Sequence, residues 1–194
     1  MFYFSAEYFL QVYSLPLIAE VRFQKDYFSE YPEQIRVGSG RTAVSYTRKP
    51  GYYAIHYNQP KTVASGAVLH LNDGAMSTTG YAYAVFPGEP NQSEQGTLSP
   101  IYTLQPNGSL AVPTGLVFIR FAEGVDVESQ REVINQAGYE VAQSLDYAPH
   151  AAWLRVQSGN IADAIAKIPQ LEAIPKVENI EPQMLMEKGL RLGH

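Results

Sequence analysis

Gly115-Leu-Val-Phe-Ile-Arg-Phe121 is a nearly continuous apolar run, and the fold is decided by this run together with the pattern of residues 122–182. The run predicts a strand buried on both faces or nearly so. Asp126 then caps a helix, with Glu128 favourable in its first turn. Val127, Gln130, Val133, Ile134 and Ala137 recur at helical spacing, and Gly138 is the expected stop. Tyr139-Glu-Val-Ala-Gln-Ser-Leu145 alternates as a strand, Asp146 to His150 is a loop, and Ala151-Ala-Trp-Leu-Arg-Val156 is a third strand. Asn160 caps a second helix with the face Ile161, Ala164, Ile165 and Ile168, which Pro169 ends or kinks; Leu171 and Ile174 add an apolar turn. Val177-Glu-Asn-Ile-Glu-Pro182 is the last strand. The order β-α-β-β-α-β predicts a ferredoxin-like α+β module over residues 113–182, with two helices on one face of a four-stranded antiparallel sheet. Residues 183–194 are expected to trail away as a flexible tail.

Upstream, residues 1–112 read as a β-rich, Tyr-rich region. Its start is dense in Phe2, Tyr3, Phe4, Tyr8, Phe9 and Tyr13 and irregular. Thr42 to Thr47, Tyr52 to Tyr57, Ala67 to Leu71, Tyr81 to Phe86, Ile101 to Leu104 and Leu110 to Val112 are expected strands. Pro50-Gly51 and Asn72-Asp73-Gly74 read as turns between them, and Pro87 to Gly96 as a polar loop. Asn107-Gly108 predicts a two-residue type I′ hairpin turn, because both central residues of that turn need positive φ. Pro113-Thr114 marks the boundary to the second unit.

The chain has 194 residues, is 45% hydrophobic and 17% charged, and suits one large or two small globular domains. Its net charge of −5, with no basic stripe, argues against a reader of nucleic-acid backbones. The absence of cysteine excludes disulfides, thiolate metal sites and a Cys nucleophile. No stretch reaches the length of a membrane helix, and the apolar start lacks a basic segment and is interrupted by Glu7. The expectation is a soluble protein, cytoplasmic by default.

At the level of motifs, the second half resembles the pro-domain of subtilisin-like serine proteases. Pro113-Thr-Gly-Leu-Val-Phe-Ile-Arg-Phe-Ala-Glu-Gly-Val125 is similar to the opening "Phe-Val-Arg-Phe-x-x-Gly" strand of that domain. Gly138-Tyr-Glu-Val and Leu145-Asp-Tyr-Ala-Pro-His-Ala-Ala-Trp-Leu154 resemble its hairpin. Pro175 and Val177-Glu-Asn-Ile-Glu-Pro182 resemble the "Pro-x-Val-x-x-Val-Glu-Pro" ending that leads toward the protease. Tyr81 to Pro113 loosely resembles the β-rich segment before this module in some long subtilase N-terminal regions. The family's catalytic domain is not in this chain: no His-Gly-Thr-His and no Gly-Thr-Ser-Met occurs.

The resemblance implies a non-catalytic, protein-binding domain that acts as intramolecular chaperone and inhibitor of a subtilisin-like protease domain, in cis or in trans. The open sheet face would dock on two protease helices, and the tail after the last strand would run through the cleft like a bound product. The implied partner contacts are Phe118 or Ile119, Glu140, Trp153 and Arg155 on the sheet. Asp146 in the loop would cap a partner helix; the tail contacts would be Gln183, Met184, Leu185 and Met186. The alternative is a stand-alone structural or assembly protein that uses the same module to bind a non-protease partner.

Plainer readings stand beside these. Asp146 also suits an ordinary turn, and Trp153 a core position as well as an interface anchor. His56, His70, His150 and His194 are scattered without ligand spacing, so no metal or other cofactor is expected. His150 lies near Asp146, yet no nucleophile stands at motif spacing from them. Gly38-Ser-Gly40 has neither Walker nor Rossmann context. The Tyr-rich strands are expected to build a packed core rather than stack bases or sugars.

Overall fold

In the computed structural model, which describes residues 26–38, 43–62, 64–72, 80–90 and 96–187, the caps read from sequence close the helices. The Asp126 carboxylate accepts from the Glu128 amide at 2.9 Å and opens a 3-10 turn, Val127–Gln130, that leads into α1 (Arg131–Gln136). Gly138 comes next with φ +88°, a conformation that costs an L side chain. The Asn160 side chain accepts from the Ala162 amide at 2.9 Å and opens α2 (Ile161–Ala166). Pro169 sits in the first turn of α3 (Ile168–Glu172), where its missing N–H costs nothing. Among the described residues no helix is long and apolar enough to cross a membrane.

The fold is mixed but strand-dominated, with nine described strands in one antiparallel sheet. They are β1 (Gln34–Val37), β2 (Val44–Lys61), β3 (Leu69–Leu71), β4 (Tyr81–Pro87), β5 (Thr97–Gln105), β6 (Leu110–Phe121), β7 (Tyr139–Ser144), β8 (Ala151–Val156) and β9 (Val177–Met186). The order is β3-β4-β2-β5-β6-β8-β7, with β1 added to β2 and β9 added to β6. Within the C-terminal part the neighbours therefore run β9-β6-β8-β7.

Three expected breaks in the chain are absent. Pro50-Gly51 is a bulge inside β2 instead of a turn. Lys49 pairs with Ile101 and Tyr53 with Pro100, so residues 50–52 are extra on the β5 side. Gly51 takes φ +74°, and its carbonyl accepts from the Gly88 amide at 2.8 Å. The strand continues through the bulge because β5 and β4 flank it and satisfy its backbone. Pro113-Thr114 likewise lies inside β6. Gly115, at φ +88°, supplies the bend, and the register to β9 shifts between Pro113 and Val117. The expected boundary at residue 113 thus falls within one strand. Third, Gln183 to Met186 are the end of β9 rather than a free tail: Met184, Leu185 and Met186 pair with Pro113, Val112 and Ala111. Residues 188–194 of that tail lie outside the described residues.

The β5–β6 connection is a hairpin, as expected, but its turn is not type I′. Gly108 has φ +75°, whereas Asn107 is not at positive φ. The Asn107 side chain accepts from the Ser109 amide at 3.1 Å, and the Gly108 amide donates to the Leu104 carbonyl at 2.8 Å. The wider loop takes up what two residues would have done. Thr42, Asp73-Gly74, residues 1–25 and residues 91–95 lie outside the described residues.

Among the described residues, apolar side chains form three cores. Val117, Ile119, Phe121, Ile134, Tyr139 and Leu154 pack beneath the helices. Tyr31, Ile35, Tyr46, Tyr102, Ala111 and Ile161 form a second, in which residues of α2 pack against side chains of β1, β2, β5 and β6. Ala54, Leu71, Val85, Ile101 and Val112 form a third. Ile101 and Tyr102, adjacent on β5, enter different cores because successive strand residues face opposite ways. The expectation that Gly115 to Phe121 is buried on both sides is corrected on one face: Val117, Ile119 and Phe121 are fully covered, Phe118 is half-buried and Arg120 exposed.

Candidate docking surface

The helices cover one face of β9-β6-β8-β7 and leave the other open, and the register decides which side chains it presents. Phe118 stands opposite Trp153 on β8 and Glu181 on β9, and Trp153 stands opposite Gln143 on β7. The Phe118 and Trp153 rings meet edge to face, 5.4 Å apart at 62°, a favoured geometry for an aromatic pair. Both rings are half-buried, flanked by exposed Gln143 and Glu181. Toward one end Arg120 reaches Glu178 at 3.7 Å. Toward the other, exposed Arg155 stands opposite Leu116 and exposed Glu140. The face is an apolar centre with a charged rim, the usual anatomy of a protein-binding patch.

Of the expected sheet contacts, Phe118, Glu140, Trp153 and Arg155 share this face. Ile119 does not: it points to the helices and is fully buried. Gln183, Met184, Leu185 and Met186 also lie elsewhere. Met184 and Met186 pack against the core of Tyr46 and Tyr102, and Leu185 against that of Ala54 and Ile101. Within β9 the side chains of Met184, Leu185 and Met186 alternate between these two cores.

Asp146 is exposed in the β7–β8 loop, beside Tyr147, whose surface is 86% exposed. This loop has internal order. The Ala148 amide donates to Leu145, the Ala151 amide to Ala148, each at 2.9 Å, and the Val127 amide ties it to the helix start through the Pro149 carbonyl at 2.9 Å. Beside it, the Ser144 hydroxyl donates to Glu128 at 3.0 Å, and Arg131 also binds Glu128. Those two donors, Arg131 first, hold the Glu128 carboxyl below its ordinary pKa. The sequence does not single out Tyr147, since a tyrosine in a loop announces neither burial nor exposure.

Two other places hold chemistry-bearing groups. His56 Nε2 lies 2.8 Å from Ser99 Oγ, with the Tyr83 ring edge to face at 4.9 Å. Burial pushes the imidazole down to about 4. Ser99 is 0% exposed and His56 half-buried, so this contact satisfies the covered hydroxyl and presents no nucleophile to solvent. A concavity of about 210 Å³ opens at the β2 bulge, walled by Tyr27, Phe28, Pro50, Tyr52, Pro90 and Pro100. Its Arg48 is held by Asp26 at 2.9 Å and by Glu33, and the Lys49 ammonium sits over the Tyr52 ring at 5.1 Å. Among the described residues no group of three His, Asp or Glu side chains is placed to hold a metal ion.

Comparison with protein-family models, curated proteins and solved structures finds no match for the chain.

Proposed function

We propose that this chain is a non-catalytic protein-binding protein whose residues 113–182 form a ferredoxin-like module related to subtilase pro-domains, and that it binds and inhibits a subtilisin-like protease domain through the open sheet face. The observation that carries this is the Phe118–Trp153 pair at the centre of a face that the helices leave uncovered. The strand order β9-β6-β8-β7 and the helices on a single face support the ferredoxin-like reading. The ordered motifs Phe118-Ile-Arg-Phe121, Leu145 to Leu154 and Val177 to Pro182 support the choice of partner class. Asp146 and Tyr147 are exposed in the β7–β8 loop, where an acid can meet a helix N-terminus of the partner.

Because Gln183 to Met186 belong to β9, a product-like segment in the protease cleft begins no earlier than Glu187. The same observation favours the second reading, a structural or assembly protein that uses the face on a non-protease partner. Titration of a subtilisin-like protease with the full chain separates the two. Slow, tight inhibition that Trp153→Ala weakens tenfold or more supports the first. A protease that is neither bound nor slowed removes it and leaves the second.

A further inference from the structure

β9 serves two parts of the molecule. Val177 to Pro182 run beside the half of β6 that packs under the helices, and Ile180 enters that core. Met184, Leu185 and Met186 run beside the other half of β6, and none of them belongs to the core under the helices. Instead Met184 and Met186, partly buried, pack against the core of Tyr31, Ile35, Tyr46 and Tyr102, and Leu185 packs against the core of Ala54, Val85 and Ile101. This strand end therefore touches both cores of the β-rich region at once. Apart from the start of α2, whose Ile161, Ala162 and Ile165 enter the Tyr31 core, the direct ladder that joins that region to the rest is short: β5 pairs with β6 only at Tyr102–Ala111 and Thr103–Leu110.

The step from one part to the other is marked by a polar clasp. The Thr114 hydroxyl donates to Gln183 Oε1 at 2.7 Å and accepts from the Leu116 amide at 3.2 Å. It sits where β6 bulges at Gly115 and where the β6–β9 register shifts. At this level β6 passes from β5 to β8 while β9 stays beside β6 across the register shift, and one side-chain pair holds the two strands there.

We propose that Gln183–Met186 is a strap that fastens the β-rich region to the rest of the chain. Releasing it, by a cut ahead of Gln183 or by drawing the strand end away, opens two cores together and loosens strands β1 to β5. The segment from Leu116 to Pro182, with its own core and its open face, stays folded. The device lets a single cleavage unfasten one half of the protein without touching the docking face.

The test is amide hydrogen exchange on the full chain carrying Met184→Ser with Met186→Ser, and separately Leu185→Ser. Protection of β2 and β5 amides is expected to fall by about 100-fold or more, with β7 and β8 within about threefold of the parent. Equal loss in β7 and β8, or unchanged β2 and β5, overturns the strap. Should the serine variants fail to fold, Thr114→Val decides, because it keeps the volume and removes the clasp. A loss of roughly fivefold confined to β2 and β5 supports the proposal; no loss, or one spread over both parts, overturns it.

Discussion

The helical part and the β-rich part of this molecule solve the same problem differently. Under α1 to α3, short helices and the β7–β8 hairpin follow one another closely in the chain, and one core results, closed by the long-range pairing of β6 with β9 at Ile119 and Ile180. In the β-rich part, the partners are distant in sequence: Ser45 pairs with Gln105, Thr97 with His56, and Met186 with Ala111. There two cores lie on opposite faces of the same strands. The difference teaches that local signals set where helices start and stop, whereas the neighbours of a strand are set by the whole chain. Asp126, Gly138 and Asn160 mean the same thing in any context, whereas Pro50 and Gly51 mean a turn or a bulge according to what flanks them.

The largest expected effect probes the single core. Phe121→Ala, at a fully covered position, should cost about 3–5 kcal/mol in denaturant unfolding. A cost near 1 kcal/mol would show that this core collapses around the gap.

A pH scan tests the other part. His56 is held neutral by burial, its pKa lowered from 6.5 to about 4. The unfolded chain therefore takes up the proton first. The stability contribution is fully present above pH 6.5 and is lost as pH falls toward 4, by at most about 1.4 kcal/mol per pH unit. The sensitivity should appear in exchange of β2, β4 and β5 amides, and His56→Gln should flatten it. A profile unchanged in that variant would assign the acid response to other groups.

The two bulges can be compared directly. A Cβ on Gly115 would lie 3.2 Å from Ile161 Cγ1, whereas one on Gly51 would meet nothing within 4 Å. Both carry positive φ, so each alanine should cost about 1–2 kcal/mol of backbone strain. Gly115→Ala should cost more because Ile161 must shift. Equal unfolding midpoints for the two variants would show that α2 yields freely.

The smallest effect concerns a cap. Asp126→Ala should lose about 1 kcal/mol, read as a lower midpoint with binding unchanged.

The candidate face is half legible in the sequence. The family resemblance implies Trp153, Arg155 and Glu140 on the sheet, and the register sets all three on this face, with Asp146 exposed in the β7–β8 loop. The sequence does not choose between Phe118 and Ile119, because a nearly continuous apolar run hides which side is covered. Met184, Leu185 and Met186 mislead for a related reason. After Pro182 the segment Gln-Met-Leu-Met lacks a turn signal and a partner near it in sequence, and its partners lie at Ala111 to Pro113.

What the sequence determined by itself was the order of elements from Gly115 to Pro182, the helix starts at Asp126 and Asn160, and the stop at Gly138. Each rests on a hydrogen bond or a backbone conformation that spans a few residues. Only the tertiary structure decided that β2 and β6 run unbroken through Pro50 and Pro113, that β9 continues to Met186, and that Phe118 rather than Ile119 faces outward. A strand's backbone groups are satisfied by whichever strands lie beside it, and those neighbours come from anywhere in the chain.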